Sequence, residues 1–299
     1  MIRFLQICST ALIGLGIILS LAGVSYWLLG RQPPITRSLP MARTPTTRVI
    51  ENVGAALDTV SATLRGTSTL PVPILTYHYI RPDINQNDDP LGYQLSIPPD
   101  LFAAQLDALQ QAGYTTVTPT QFLQGKIDEH SLILSFDDGY ADLATNAFPA
   151  LTRRGMTAVA FVVSGFLDDR DHRYLSSDQV RELKAGGIEI GAHTITHSNL
   201  TKLEPLKLQE ELLQSRFALE KLINDRVIAV AYPSGEYNDA VVDMAEFVGY
   251  RFGVTTQPGT ARLADPHLTL PRIQIHPGDN PERLVERIKD AKRLLAAPQ

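Results

Sequence analysis

Two neighbouring carboxylates, Asp137 and Asp138, close the run Leu132-Ile133-Leu134-Ser135-Phe136 and are followed by Gly139-Tyr140. A short apolar run ended by a turn signal reads as a buried strand. Its carboxyl end is where open α/β sheets and barrels place their chemistry. Side chains alternate along a strand, so adjacent aspartates diverge unless the chain turns, and Gly139 permits a turn. Two carboxylates facing one cavity repel each other unless a cation accompanies them. His193 and His197 follow another apolar run, Ile188–Ile190, and His78 ends a third, Val72–Tyr77. Two imidazoles at that spacing can reach one ion. With one carboxylate they make three ligands and leave positions for water and substrate, and the other carboxylate is free to act as a base. Either motif alone is more simply a turn or a packed histidine pair. Their coincidence at strand ends points to a catalytic metal site.

The elements that must position these residues alternate as βα units. Strands are predicted at 72–78, 115–117, 132–135, 157–163, 188–190, 227–231, 250–254 and 270–275. Helices are predicted at 99–112, 121–125, 141–153, 177–185, 203–224, 240–248 and 281–295, with a loop at 82–92. Leu101, Phe102, Leu106 and Leu109 give the first of these helices its buried face, and Leu206, Leu213, Phe217 and Leu222 are core candidates of the longest. This alternation implies parallel strands closed as a barrel.

A chain of 299 residues with 44% hydrophobic composition can bury one large α/β domain. Its charge is uneven. Residues 1–70 carry six Arg against Glu51 and Asp58, a balance of +4, while the remaining 21 basic and 30 acidic residues give −9. An acidic main domain without a basic stripe excludes nucleic acid as the expected partner. The single Cys8 excludes an internal disulfide and a cysteine-based zinc site. No charge lies between Arg3 and Arg31, and Ala11–Leu29 supplies one bilayer-spanning helix, with Tyr26 and Trp27 near its end. Residues 1–30 are read as a membrane anchor or signal peptide, with the anchor favoured by the length of the run. Residues 31–70 are a Pro/Thr/Arg-rich tether with a weak helical pattern at 49–64, and 71–299 are the catalytic domain. The expected location is the cell membrane, with the domain outside the cytoplasm. No obligate protein partner is evident. His130, His172 and His267 sit in polar connections and are expected to be exposed.

The order of motifs resembles the polysaccharide deacetylase family, also called the NodB-homology or carbohydrate esterase 4 domain. The matching blocks are Pro73–His78, Ser135–Tyr140, Gly191–His197, Ala231–Tyr237 and Leu270–His276. The likeness is strongest to the subgroup with a Tyr-His pair at the domain start, which includes poly-N-acetylglucosamine deacetylases. It implies a distorted (β/α) barrel of seven strands. It also implies Asp137 as base, Asp138, His193 and His197 as ligands of one divalent ion (zinc first, with cobalt, nickel or iron as alternatives), and His78 as general acid. The late histidine His276, which the wider family would use as acid, is the rival. The implied reaction is hydrolysis of N-acetyl groups on an N-acetylated polysaccharide. The backbone N–H of Ser234 is a candidate for holding the oxyanion, and Tyr232, His276 and Arg272 are candidates for substrate contact. Ser135 stands where the family has Thr, Ser234 where an aromatic is usual, and Ile228 where related sequences often carry an arginine that orients the base. Arg226 and Arg272 are the cations that could take that role. An O-acetyl esterase, another amidohydrolase on the same site, or an inactive wall-binding module are the alternatives.

Overall fold

The computed structural model describes residues 69–82 and 85–296. The expected membrane segment and most of the tether lie outside the described residues. Among the described residues no helix is long and apolar enough to cross a membrane.

Seven parallel strands close into the expected barrel. They are β1 (Ile74–Tyr77), β5 (Ser131–Phe136), β6 (Val159–Val162), β7 (Glu189–Ala192), β8 (Ala229–Ala231), β9 (Phe252–Pro258) and β10 (Leu270–Gln274). Neighbours pair in that order, and β1 closes the ring between β10 and β5, with Leu75 opposite both Ile273 and Leu134. Three two-residue strands lie outside the ring. β2 (Tyr79–Ile80) pairs with β3 (Ser96–Ile97), and β4 (Thr115–Thr116) pairs with the start of β5.

Alternation along the strands divides the core into two layers. Ile74, Ile133, Val159, Phe161, Ala231, Val254 and Leu270 fill the barrel. Leu75, Leu134, Phe136, Ala160, Ile190 and Val230 face outward, against helices. Strands buried on both faces carry continuous apolar runs, which is why they are legible in the sequence.

The helices are α1 (Pro90–Leu95), α2 (Pro99–Gln111), α3 (Pro119–Leu123), α4 (Phe148–Thr152), α5 (Ser177–Ala185), α6 (Pro205–Ile223), α7 (Asp239–Phe247) and α8 (Pro281–Ala296). α1 falls partly in the segment read as loop, started by Asp89, whose side chain accepts from Gly92 N–H. α4 is preceded by a π-helical turn, Leu143–Ala147. One expectation fails on α6. Leu206 is 82% exposed and Phe217 48%, whereas Leu208, Glu211, Leu212, Ser215 and Leu219 form the buried face. Leu213 and Leu222 pack partly buried beside that face, whose two polar side chains bond a neighbouring loop. His267 is likewise half-buried, hydrogen-bonded to the Leu263 carbonyl at 2.8 Å, because its ring packs edge-on to Phe122.

Candidate active site

The carboxyl end of the barrel gathers the chemistry. Asp137 N–H donates to the Tyr77 carbonyl and so continues the β1–β5 ladder. The chain then turns sharply: Asp138 and Gly139 both adopt left-handed backbone, at φ 70° and 72°. That conformation costs a non-glycine residue about 1–2 kcal/mol and turns Asp138 toward the cavity that Asp137 faces. The turn is held from outside, where Leu175 N–H donates to the Gly139 carbonyl and Ala141 N–H to the Arg173 carbonyl.

Asp138 Oδ1 lies 3.3 Å from His193 Nε2 and 3.4 Å from His197 Nε2. All three candidate ligand atoms fall within 4.8 Å of one another. His193 is buried at the end of β7, and its Nδ1 lies 2.7 Å from the Ala231 carbonyl. A carbonyl can only accept, so Nδ1 carries the proton and Nε2 offers its lone pair to the cluster. His197 is brought back by a loop in which Thr194 and His197 are left-handed, at φ 67° and 57°, and His197 N–H donates to Thr194 Oγ1. One carboxylate oxygen and two imidazole nitrogens converging on one point fit a borderline divalent cation.

Asp137 is 5% exposed at its side chain and is clamped by Arg272 of β10. Arg272 Nη1 donates to Oδ1 at 2.8 Å and Nη2 to Oδ2 at 2.7 Å, while Nε donates to the Thr255 carbonyl. The same Nη1 reaches Ser135 Oγ at 3.2 Å, and Ser135 donates to the Leu75 carbonyl. Burial pushes the Asp137 carboxyl up, but the Arg272 charge and its hydrogen bonds outweigh burial and hold it well below the usual carboxylate range. Arg272 therefore supplies the cation missing at Ile228, and Arg226 is exposed.

His78 faces this cluster from the end of β1. Burial lowers its proton affinity by more than Asp137 and Asp138 raise it. Tyr79 and Tyr140 continue from it as a stack with Tyr174, at centroid distances of 3.6 and 5.2 Å. Tyr232 is a correction. Ala231 points into the barrel, so the next side chain points out, and the Tyr232 ring is wholly buried beside Tyr237 instead of meeting substrate. Ser234 is exposed in left-handed backbone, at φ 57°. His276 is exposed beyond β10.

The sequence model of the polysaccharide deacetylase family matches residues 124–253. YxkH of Bacillus subtilis (strain 168), described as a polysaccharide deacetylase by inference, is 32% identical over 226 residues, which are 74% of this chain and 77% of that one. A poly-beta-1,6-N-acetyl-D-glucosamine N-deacetylase of Staphylococcus aureus (strain MRSA252) is 26% identical over 208 residues, 64% of this chain and 71% of that one. Among solved structures, the Streptococcus pyogenes deacetylase PplD in complex with acetate superposes with a TM-score of 0.67 at 31% identity, over 73% of this chain and 97% of that one. The chain belongs to the polysaccharide deacetylase family of hydrolases.

Proposed function

We propose that this protein removes N-acetyl groups from a polysaccharide containing N-acetylglucosamine, with the help of one divalent ion. The observation that carries the reading is the Asp138–His193–His197 cluster beside an arginine-clamped carboxylate at the barrel mouth. Asp138, His193 and His197 would hold the ion, zinc being the first choice for this donor set. When bound, such an ion polarises a carbonyl and acidifies water. Asp137 is the base: Arg272 keeps it ionised and aims both oxygens, so it can accept the proton of the attacking water. The backbone N–H of Ser234, on the exposed turn after β8, is the proposed oxyanion donor. His78 is the general acid. An amide nitrogen leaves only when protonated, and an imidazole at the end of β1, beside Asp137 and Asp138, can carry that proton.

The substrate class rests on the Staphylococcus aureus relative, named for poly-beta-1,6-N-acetyl-D-glucosamine. The acetate in the PplD complex is the acid product expected of such a reaction. The uncharged run Ala11–Leu29 supports a membrane-attached enzyme acting outside the cytoplasm, where such polymers lie.

Metal analysis and a substrate screen test the reading. The purified chain should contain one divalent ion, which His193→Ala loses. It should release acetate from β-1,6-linked or β-1,4-linked N-acetylglucosamine oligomers faster than from acetylated xylan. His78→Ala should lower turnover by about 10²–10⁴-fold with metal retained, and should be milder on an activated acetyl ester. A metal-free, fully active chain would remove the metal from the mechanism, and preference for acetylated xylan would make the enzyme an esterase.

A further inference from the structure

Glu211 is a carboxylate on the middle of α6, wholly buried. Its hydrogen-bond partners are all donors of one loop, none of them a cation. Oε2 accepts from Ile195 N–H at 2.9 Å and Thr196 N–H at 3.0 Å, and Oε1 accepts from Thr196 Oγ1 at 2.8 Å. One turn further along the helix, Ser215 Oγ donates to the Thr194 carbonyl at 2.9 Å. The loop so gripped is 194–196, the whole connection between His193 and His197. Its other side is held by Ser164 N–H on the Thr194 carbonyl and Gly165 N–H on the Ile195 carbonyl.

A buried carboxylate without a counter-ion is costly, so its persistence calls for donors fixed in place. Here the donors are fixed in a turn whose first residue, Thr194, and whose successor, His197, take left-handed backbone that they adopt only under constraint. The dependence runs both ways: the loop satisfies Glu211, and Glu211 holds the left-handed loop. We propose that Glu211 is a positioning residue for the metal centre, acting through loop 194–196 to keep both imidazoles within reach of Asp138. The inference rests on the proposed metal centre.

The geometry separates hydrogen bonding from charge. Glutamine can accept both N–H groups on its oxygen and donate its amide to Thr196 Oγ1, whose proton then turns to Ser198 Oγ, 2.7 Å away. Alanine provides neither. The full chain is stripped of metal and titrated with cobalt(II), read by its visible absorption bands, while thermal melting reports folding. Glu211→Ala should bind cobalt about 10–100-fold more weakly, the range typical of groups that orient ligands from behind. Glu211→Gln should stay close to the unsubstituted affinity, and Thr196→Val should fall between. Leu219→Ala, buried on the same helix, should melt earlier yet bind cobalt normally. Glu211→Ala that melts early but binds cobalt like the unsubstituted chain would overturn the inference. Should Glu211→Ala not fold, unchanged affinity in Thr196→Val would overturn it equally. No cobalt binding by the unsubstituted chain would instead overturn the metal centre, and this inference with it.

Discussion

Asp137 and Arg272 form the most tightly buried ion pair at the site, with side chains 5% and 2% exposed. Removing one partner of such a pair leaves an uncompensated charge and costs about 3–5 kcal/mol. Arg272→Met should therefore destabilise the fold by about that amount in urea titrations, and adding Asp137→Asn should recover much of it; simple additivity would disprove the coupling. Asp137→Asn alone keeps an acceptor but loses the proton-accepting charge. It should cut turnover by about 10²–10⁴-fold while metal content stays at the unsubstituted level. Asp142 offers a pH test away from the chemistry. Burial pushes its carboxyl up to about 6, against smaller opposing effects of the Ile80 N–H and the Arg81 charge, and its Oδ1 has no hydrogen-bond partner. A carboxyl raised in the folded state binds its proton more tightly there, so stability declines as pH rises from about 4 through 6. Asp142→Asn, which mimics the neutral acid, should raise the melting temperature at pH 8 and change it little at about pH 3, below both the folded and unfolded titrations. An equal shift at both would refute the burial argument. The candidate ligand cluster Asp138, His193 and His197 was legible because histidine and aspartate at strand ends are few. Arg272 could be named only as one of two substitutes, since nothing in a sequence shows which cation crosses the barrel. Glu211 was invisible, because a glutamate on a helix usually faces solvent.

Elements set the precision of the site. The loop 194–196 between the two candidate ligand histidines is pressed between α6 and the 3₁₀ turn Ser164–Phe166, where a Cβ on Gly165 would stand 2.4 Å from the Ile195 carbonyl oxygen. Backbone cannot yield as a side-chain tip does, so Gly165→Ala should cost about 1–3 kcal/mol and weaken metal binding together with stability. A thermal melt and a metal titration matching those of the unsubstituted chain would show that the loop tolerates displacement. The same scale explains what the sequence concealed. Strands buried on both faces gave continuous apolar runs, and all seven barrel strands were found. The two-residue β2 and β3 were too short to carry a period. Two of the four core candidates on α6 were misread, since Leu206 and Phe217 are apolar yet exposed, while Leu213 and Leu222 pack partly buried against the core and Glu211 and Ser215 are polar yet inward. Tyr232 was misassigned for want of one fact, the parity of its neighbour Ala231 in the barrel wall.

At the scale of the whole molecule, the barrel closes within the described residues, and the amino-terminal run is proposed to serve location. A chain beginning at residue 69 should fold and deacetylate soluble oligomers as the full chain does, but should leave the membrane fraction after cell breakage. Co-sedimentation of the shortened chain with membranes would place the attachment elsewhere. The closure of the barrel has a consequence for how the enzyme comes into being. Because β1 takes both β5 and β10 as neighbours, its pairing partners lie far apart along the chain, and such non-local contacts form slowly. During synthesis, Asp137, Asp138, His193 and His197 emerge well before Arg272. The nascent chain thus holds its carboxylate–histidine set without the guanidinium that steadies Asp137, and activity waits for the last strand to arrive. Latency of the unfinished chain would follow from strand order alone.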